Sequence, residues 1–296
     1  MMSAIYGTSL TKRSRRTKAE IAMLEEALLA IVQEQHPMTV RQVFYQAVSR
    51  GLVPKTEVAY QTVVVRLLVR LRKQGRMPYG WIVDETRWVR KPVSFTGLDA
   101  ALQHVVEYYR RDLWAEAPVH VEIWCEKEAL AGVLYEETYR FDVPLMVTKG
   151  YPSHSFLYGA AQDILRRGKP TFLYYFGDYD PTGKDIPRYI ETTLRELAPS
   201  AEIHFERVAV TPEQIVDWNL PTRPTKKTDT RAKRFGDERS VELDAIPPDM
   251  LRGLVQECIC RHIDKKYLER MAVIEYRERK ELKRFAQLWR NGRSEI

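Results

Sequence analysis

The sequence predicts an α/β protein: a parallel sheet with crossover helices, preceded by an N-terminal helical domain of helix-turn-helix type. Three observations predict it. Between residues 119 and 210, short apolar and aromatic runs alternate with stretches of helical periodicity, the pattern of strands joined by crossover helices. Between residues 17 and 75, three short amphipathic patterns follow one another, punctuated by Pro37, Gly51 and Gly75. The chain has 296 residues, 44% hydrophobic and 29% charged, enough for one large or two ordinary globular domains.

Residues 1–16 are polar and end in Lys12, Arg13, Arg15 and Arg16, which reads as a basic arm or simply a solvated terminus. Thr17 caps a predicted helix with Ile21, Leu24, Leu28, Ile31 and Val32 on one face. Thr39 caps the next, whose stripe is Val40, Val43, Phe44, Ala47 and Val48. Arg41, Tyr45 and Ser49 fall on a different face, so Tyr45 is expected to point outward beside Arg41. Thr56 opens the third helix, with Tyr60, Val63, Val64, Leu67, Leu68 and Leu71 inward and Thr62, Arg66, Arg70 and Lys73 outward. Residues 78–89, with Trp81, Ile82, Val83, Trp88 and Val89, read as a β wing, which makes residues 17–92 a winged helix. Residues 93–117 read as a linker carrying a helix.

Residues 118–264 carry the alternation. Val119, Val121, Ile123 and Cys125 interleave with His120, Glu122 and Trp124, a period-2 strand signal, and the strand ends at Glu126. Strands are expected again over 143–147, 171–176 and 203–210, with helices between them. The run 171–186, TFLYYFGDYDPTGKDI, places Asp178 and Asp180 just past a strand end. Residues two apart in an extended chain share a side, so both carboxylates can serve a hard cation. The competing reading makes them turn and N-cap residues. Because ligand sites in open α/β sheets gather at strand C-termini, Glu126 is expected to converge with them. Residues 220–240, with Lys226, Lys227, Arg231, Lys233, Arg234 and Arg239, read as a basic surface loop that is either disordered or ordered by a polyanion. A charged helix is expected over 265–296, packing on the domain or on another chain.

The net charge is +7 and the pI about 9.2, which leans towards an anionic partner. The three cysteines, Cys125, Cys258 and Cys260, form no Cys-x-x-Cys pair, so neither zinc nor a disulfide framework is indicated. No apolar run reaches membrane-spanning length and no signal-peptide core is seen, so a cytoplasmic protein is expected. Residues 177–185 imitate a P-loop, but the spacing is one residue too long and Asp185 stands where Ser or Thr would be needed.

VEIWCEKEAL around Glu126, KGYPSHSFL from Lys149, and GDYDPTG around Asp178 and Asp180 resemble the Toprim domain of the topoisomerase VI A-subunit family, over residues 119–210. That family includes the eukaryotic meiotic double-strand-break protein. The N-terminal string RQVFYQAV resembles the family's winged helix, where Arg41 and Tyr45 take the positions of the supporting arginine and the nucleophilic tyrosine. Phe44 stands where a second tyrosine is common. The resemblance implies a Rossmann-like Toprim fold and Mg²⁺, with Mn²⁺ as the substitute, held by Glu126, Asp178 and Asp180. It further implies cleavage of double-stranded DNA by Tyr45, with Arg41 stabilising charge on the phosphate. In the family the tyrosine works with the Toprim site of the other protomer, so a homodimer is expected. ATP is left to a separate B-type subunit.

Arg66, Arg70, Lys73, Lys226 and Lys227 are the expected DNA contacts. Two other functions stay open: a Toprim nuclease of the defence type, in which Tyr45 is structural, and a non-catalytic winged-helix DNA binder.

Overall fold

A computed structural model describes residues 16–83, 92–225, 235–236 and 239–293. Helix α1 is Lys18–Gln35 and α2 is Val40–Ser49. Both start at a capping box, Thr17 with Glu20 and Thr39 with Gln42, each threonine accepting a hydrogen bond from an amide of the first turn. Helix α3 begins at Glu57–Ala59, passes through a π-helical stretch at Tyr60–Val65 and resumes as α-helix at Arg66–Lys73. The expected stripes face one another: Leu24, Leu28, Ile31, Val43, Phe44, Val64, Leu68 and Leu71 are buried together. Of the expected wing, Tyr79–Trp81 forms a single 3₁₀ turn and Ile82 makes a parallel bridge with Met38. Residues 84–91 lie outside the described residues.

Helix α4 (Leu98–Tyr108) lies in the expected linker and packs on the final helix. The sheet follows, with β1 at His120–Cys125, β2 at Leu145–Val147, β3 at Thr171–Phe176 and β4 at Ile203–Ala209. Its order is β2-β1-β3-β4 and every pair is parallel. Between the strands run α5 (Ala131–Arg140), α6 (His154–Arg167) and α7 (Pro181–Leu197). After β4 come α8 (Pro212–Asp217), the short antiparallel pair β5 (Arg223–Pro224) and β6 (Arg239–Ser240), α9 (Pro248–Cys260) and α10 (Lys265–Arg293).

Strand alternation sends side chains to two cores. Val121, Ile123, Cys125, Tyr174 and Phe176 join a cluster with Leu134 of α5 and Leu251, Val255 and Ile259 of α9. Trp124, Leu173 and Tyr175 join Leu157 and Ile164 of α6 and Ile186 and Ile190 of α7. With helices on both faces, the polar members of β1 are buried too. Glu122 accepts from the Trp124 indole at 2.9 Å and from Arg167 at 3.1 Å, so its charge has a partner.

The first core is continuous with that of the three N-terminal helices. Arg252 of α9 strengthens the join by donating to the carbonyls of Gln35 and Pro37. Helix α10 packs against the segment after α4: Glu278 accepts from Tyr109 and Arg111, and the Tyr267 hydroxyl reaches the Leu113 carbonyl.

The stretch expected as a basic surface loop is anchored at both ends. Its ends pair as β5 and β6, and Phe235 is buried against Tyr179. Lys226 and Lys227 lie outside the described residues, as does nearly all of the basic arm.

Candidate functional site

The strand order reverses between β1 and β3: β2 lies beyond β1, and β4 beyond β3. Crossovers therefore leave in opposite directions there and open a crevice at the carboxyl ends of the two strands. Glu126 follows β1 and Gly177 and Asp178 follow β3. The Asp178 amide donates to Glu126 Oε2 at 3.1 Å, and the Tyr175 hydroxyl donates to the same oxygen at 3.2 Å. Burial and the neighbouring Asp178 push the Glu126 carboxyl up to about 7. Asp178 is also raised, by burial, although Lys127 opposes the shift.

Both glycines of GDYDPTG are required by close packing. A Cβ at Gly177 would come within 2.6 Å of Glu126 Oε2 and of the Tyr175 ring. A Cβ at Gly183 would come within 2.1 Å of the Asp178 carbonyl oxygen. Arg207, from β4, holds this loop from beneath. It donates to the carbonyls of Asp178 at 2.6 Å, Gly183 at 2.7 Å and Gly177 at 3.3 Å.

Asp180 does what the competing reading assigned to it. Its Oδ1 accepts from the Gly183 amide at 2.7 Å and caps α7, while Oδ2 lies 3.5 Å from Arg223. Among the described residues, no three His, Cys, Asp or Glu side chains are arranged to hold one metal ion. Glu126, half-buried, and Asp178, buried, remain as an adjacent carboxylate pair whose charged forms are disfavoured. That donor set fits a divalent cation that keeps most of its waters, for which one or two carboxylates suffice.

Lys127 reaches into the same crevice. Its ammonium lies 3.0 Å from Asp178 Oδ1, 2.6 Å from Asp244 Oδ2 and 3.4 Å from Glu242 Oε2. Burial favours the neutral amine, but Asp244, Asp178 and Glu242 outweigh it and hold Lys127 charged. Glu242 also takes Arg223 at 2.5 Å and Arg41 at 3.6 Å. Burial works against its charge, yet Lys127, Arg41 and Arg223 keep its carboxyl below the usual range.

Tyr45 is not presented outward. It is 3% exposed, and the charge of Glu242 acts on its hydroxyl. Burial first, then the Glu242 charge, raises its pKa far above that of a free phenol. The helical wheel placed Tyr45 correctly off the α2 stripe. That second face, however, is covered by the 3₁₀ turn Leu243–Ala245 and its flanks rather than by water. Arg41 is half-buried between Glu242 and Glu57, with its guanidinium over the Tyr60 ring. Lys55 sits 5.2 Å from the Tyr45 ring centre, and burial lowers its pKa to about 8.

The expected basic stripe on α3 is only partly available. Arg70 is paired with the buried carboxylate of Glu25, which Arg76 also contacts at 3.3 Å. Arg66 and Lys73 are exposed and make no ion pair among the described residues.

Lys127, Glu242, Asp244, Arg223, Lys55 and Arg207 were not singled out from the sequence. One signal was readable. Val241, Leu243 and Ala245 alternate with Glu242 and Asp244, an ordered apolar pattern directly after the basic loop. No family model matches the chain, and no curated protein matches its sequence significantly. Among the described residues, no helix is long and apolar enough to cross a membrane.

Proposed function

We propose that this chain is a metal-dependent DNA-cleaving protein of the Toprim type, with an N-terminal winged helix that carries the nucleophile Tyr45. The observation that carries the reading is the Glu126–Asp178 pair at the switch point of the sheet, linked through Lys127 to Glu242, whose charge acts on Tyr45. A divalent cation held by Glu126 and Asp178 would offset negative charge on the phosphate and on the leaving oxygen.

Glu126 and Asp178 would bind that cation, and Arg41 holds a non-bridging phosphate oxygen. The Tyr45 oxygen loses its proton and bonds to phosphorus, the P–O3′ bond breaks, and the 3′ oxygen takes up a proton. The product is a 5′-phosphotyrosyl ester, formed by exchange of one ester for another. Cutting both strands takes two such sites, hence a homodimer. Strand passage would further need ATP from a separate subunit.

One observation favours a second reading. A tyrosine 3% exposed cannot meet a DNA backbone unless α2 lifts from Glu242. If α2 stays seated, Tyr45 is a core residue and water is the attacking group, as in a hydrolytic Toprim nuclease.

The test is supercoiled plasmid with Mg²⁺ or Mn²⁺, stopped in denaturant with and without protease. Ends retained with protein only before protease support Tyr45, and Tyr45→Phe should then lose cleavage by at least about a hundredfold while still binding DNA. Free ends from both proteins establish hydrolysis. Tight binding with no cleavage establishes a non-catalytic DNA binder.

A further inference from the structure

Glu242 is unusual for a buried carboxylate in how many groups it collects. Three cationic side chains from three separate parts of the chain converge on it: Arg41 of α2, Arg223 of β5, and Lys127 after β1. Nearby, Lys55, from the loop before α3, donates to the Pro221 carbonyl at 2.7 Å, and the Glu242 charge supports its own. Arg41, Arg223 and Lys127 also serve Glu57, Asp180, Asp244 and Asp178, so Glu242 sits at the centre of a shared charge network rather than in a single ion pair. Three cationic side chains at or near the cluster, Arg41, Lys55 and Arg223, are only partly buried. Arginines are the groups that meet a tetrahedral phosphate with two donors each. The Tyr45 ring lies 5.2 Å from the Lys55 ammonium, and one ammonium, Lys127, spans Glu242 and Asp178.

We propose that Arg41, Lys55 and Arg223 form a binding site for a backbone phosphodiester of DNA, and that Glu242 occupies this site in the free protein as an internal phosphate mimic. The site rests on the DNA reading above and deepens it by locating the phosphate. When DNA enters, its phosphate replaces the carboxylate among the same donors, and Glu242 releases Tyr45. The burial of Tyr45 is then the resting state of the site. Glu242 is a gate rather than a proton acceptor. Its carboxyl is held well charged and the phenol is held well protonated, so proton transfer between them is strongly uphill.

The experiment measures DNA binding in EDTA, where no cleavage occurs, by anisotropy of a fluorescein-labelled duplex of about twenty base pairs at several salt concentrations. Glu242→Gln keeps the side-chain volume but removes the competing charge. It should bind about tenfold tighter than the parent chain, a change of ~1.4 kcal/mol. Arg223→Gln and Lys55→Gln should each weaken binding several-fold and lower the salt slope by about one, as loss of one phosphate contact does.

A folded Glu242→Gln chain that binds no tighter overturns the proposal. So does an unchanged affinity and slope in both Arg223→Gln and Lys55→Gln, which decides the matter alone if Glu242→Gln does not fold. A parent chain that binds no duplex overturns it together with the DNA reading. A chain that cleaves with Mg²⁺ but shows no tightening in Glu242→Gln overturns only the gate. The predicted binding shifts in a chain that never cleaves support the site and sink the cleavage reading.

Discussion

At the scale of single residues, the acidic pair has a measurable pH signature. Glu126 titrates near 7 in the folded chain against an ordinary value of 4.5. Between those values the unfolded chain has released its proton and the folded chain still holds it, so the native state binds more protons. Stability therefore falls as pH rises from about 4.5 to 7, and the cost persists above that window. At ~1.4 kcal/mol per pH unit the change is on the order of a few kcal/mol. Asp178, also raised, acts in the same sense. Thermal melts in EDTA should show this decline, and Glu126→Gln should flatten it. At pH 8, Mg²⁺ should raise the melting temperature of the parent chain and leave Glu126→Gln unmoved. A parent chain indifferent to Mg²⁺ would count against the cation. Gly183 gives a second residue-scale test. With the Asp178 carbonyl 2.1 Å from any added Cβ, Gly183→Ala should cost ~3 kcal/mol in a urea melt. An unchanged midpoint would mean that the loop gives way freely.

At the scale of elements, α3 separates a structural arginine from two available ones. Arg70→Ala leaves the buried Glu25 with Arg76 alone and should destabilise the chain by about 1–3 kcal/mol. Arg66→Gln with Lys73→Gln should leave stability within about 0.5 kcal/mol and lower the salt slope of DNA binding by up to about two. An unchanged slope would remove α3 from the DNA-facing surface. The same helix shows where sequence periodicity stops. Its inward stripe was legible because α1 and α2 present matching stripes within sixty residues. The Arg70 partner lies 45 residues away on another helix, and no local pattern encodes it. Strands and crossover helices were legible because both sheet faces are buried, so β-branched and aromatic runs stand out against polar turns. Glu126 and Asp178 were legible as strand-end residues. Tyr45 was misread because its second face meets a segment about two hundred residues later in the chain. Asp180 shows the opposite case: its N-cap role was present in the local sequence, beside the metal-ligand reading.

At the scale of the whole molecule, the question is whether one chain or two complete a cleavage site. The family resemblance implies that the tyrosine of one protomer serves the acidic site of the other. Within this single chain, the Glu242 charge acts on Tyr45, Glu242 reaches Lys127, and Lys127 reaches Asp178. That continuous path favours a site assembled in cis. Tyr45→Phe removes only the phenolic oxygen. Asp178→Asn removes a charge and keeps an acceptor for the Leu243 amide, which now lies 2.8 Å away. Each variant alone should be inactive on supercoiled plasmid. In a mixed dimer of trans sites, one composite site carries both defects and the other none, so nicking returns when subunits exchange. In a mixed dimer of cis sites, each chain keeps its own defect and nicking stays absent. The cis path predicts no recovery, scored after exchange has been verified with differently tagged chains. Recovered nicking would place the working tyrosine against its partner's crevice.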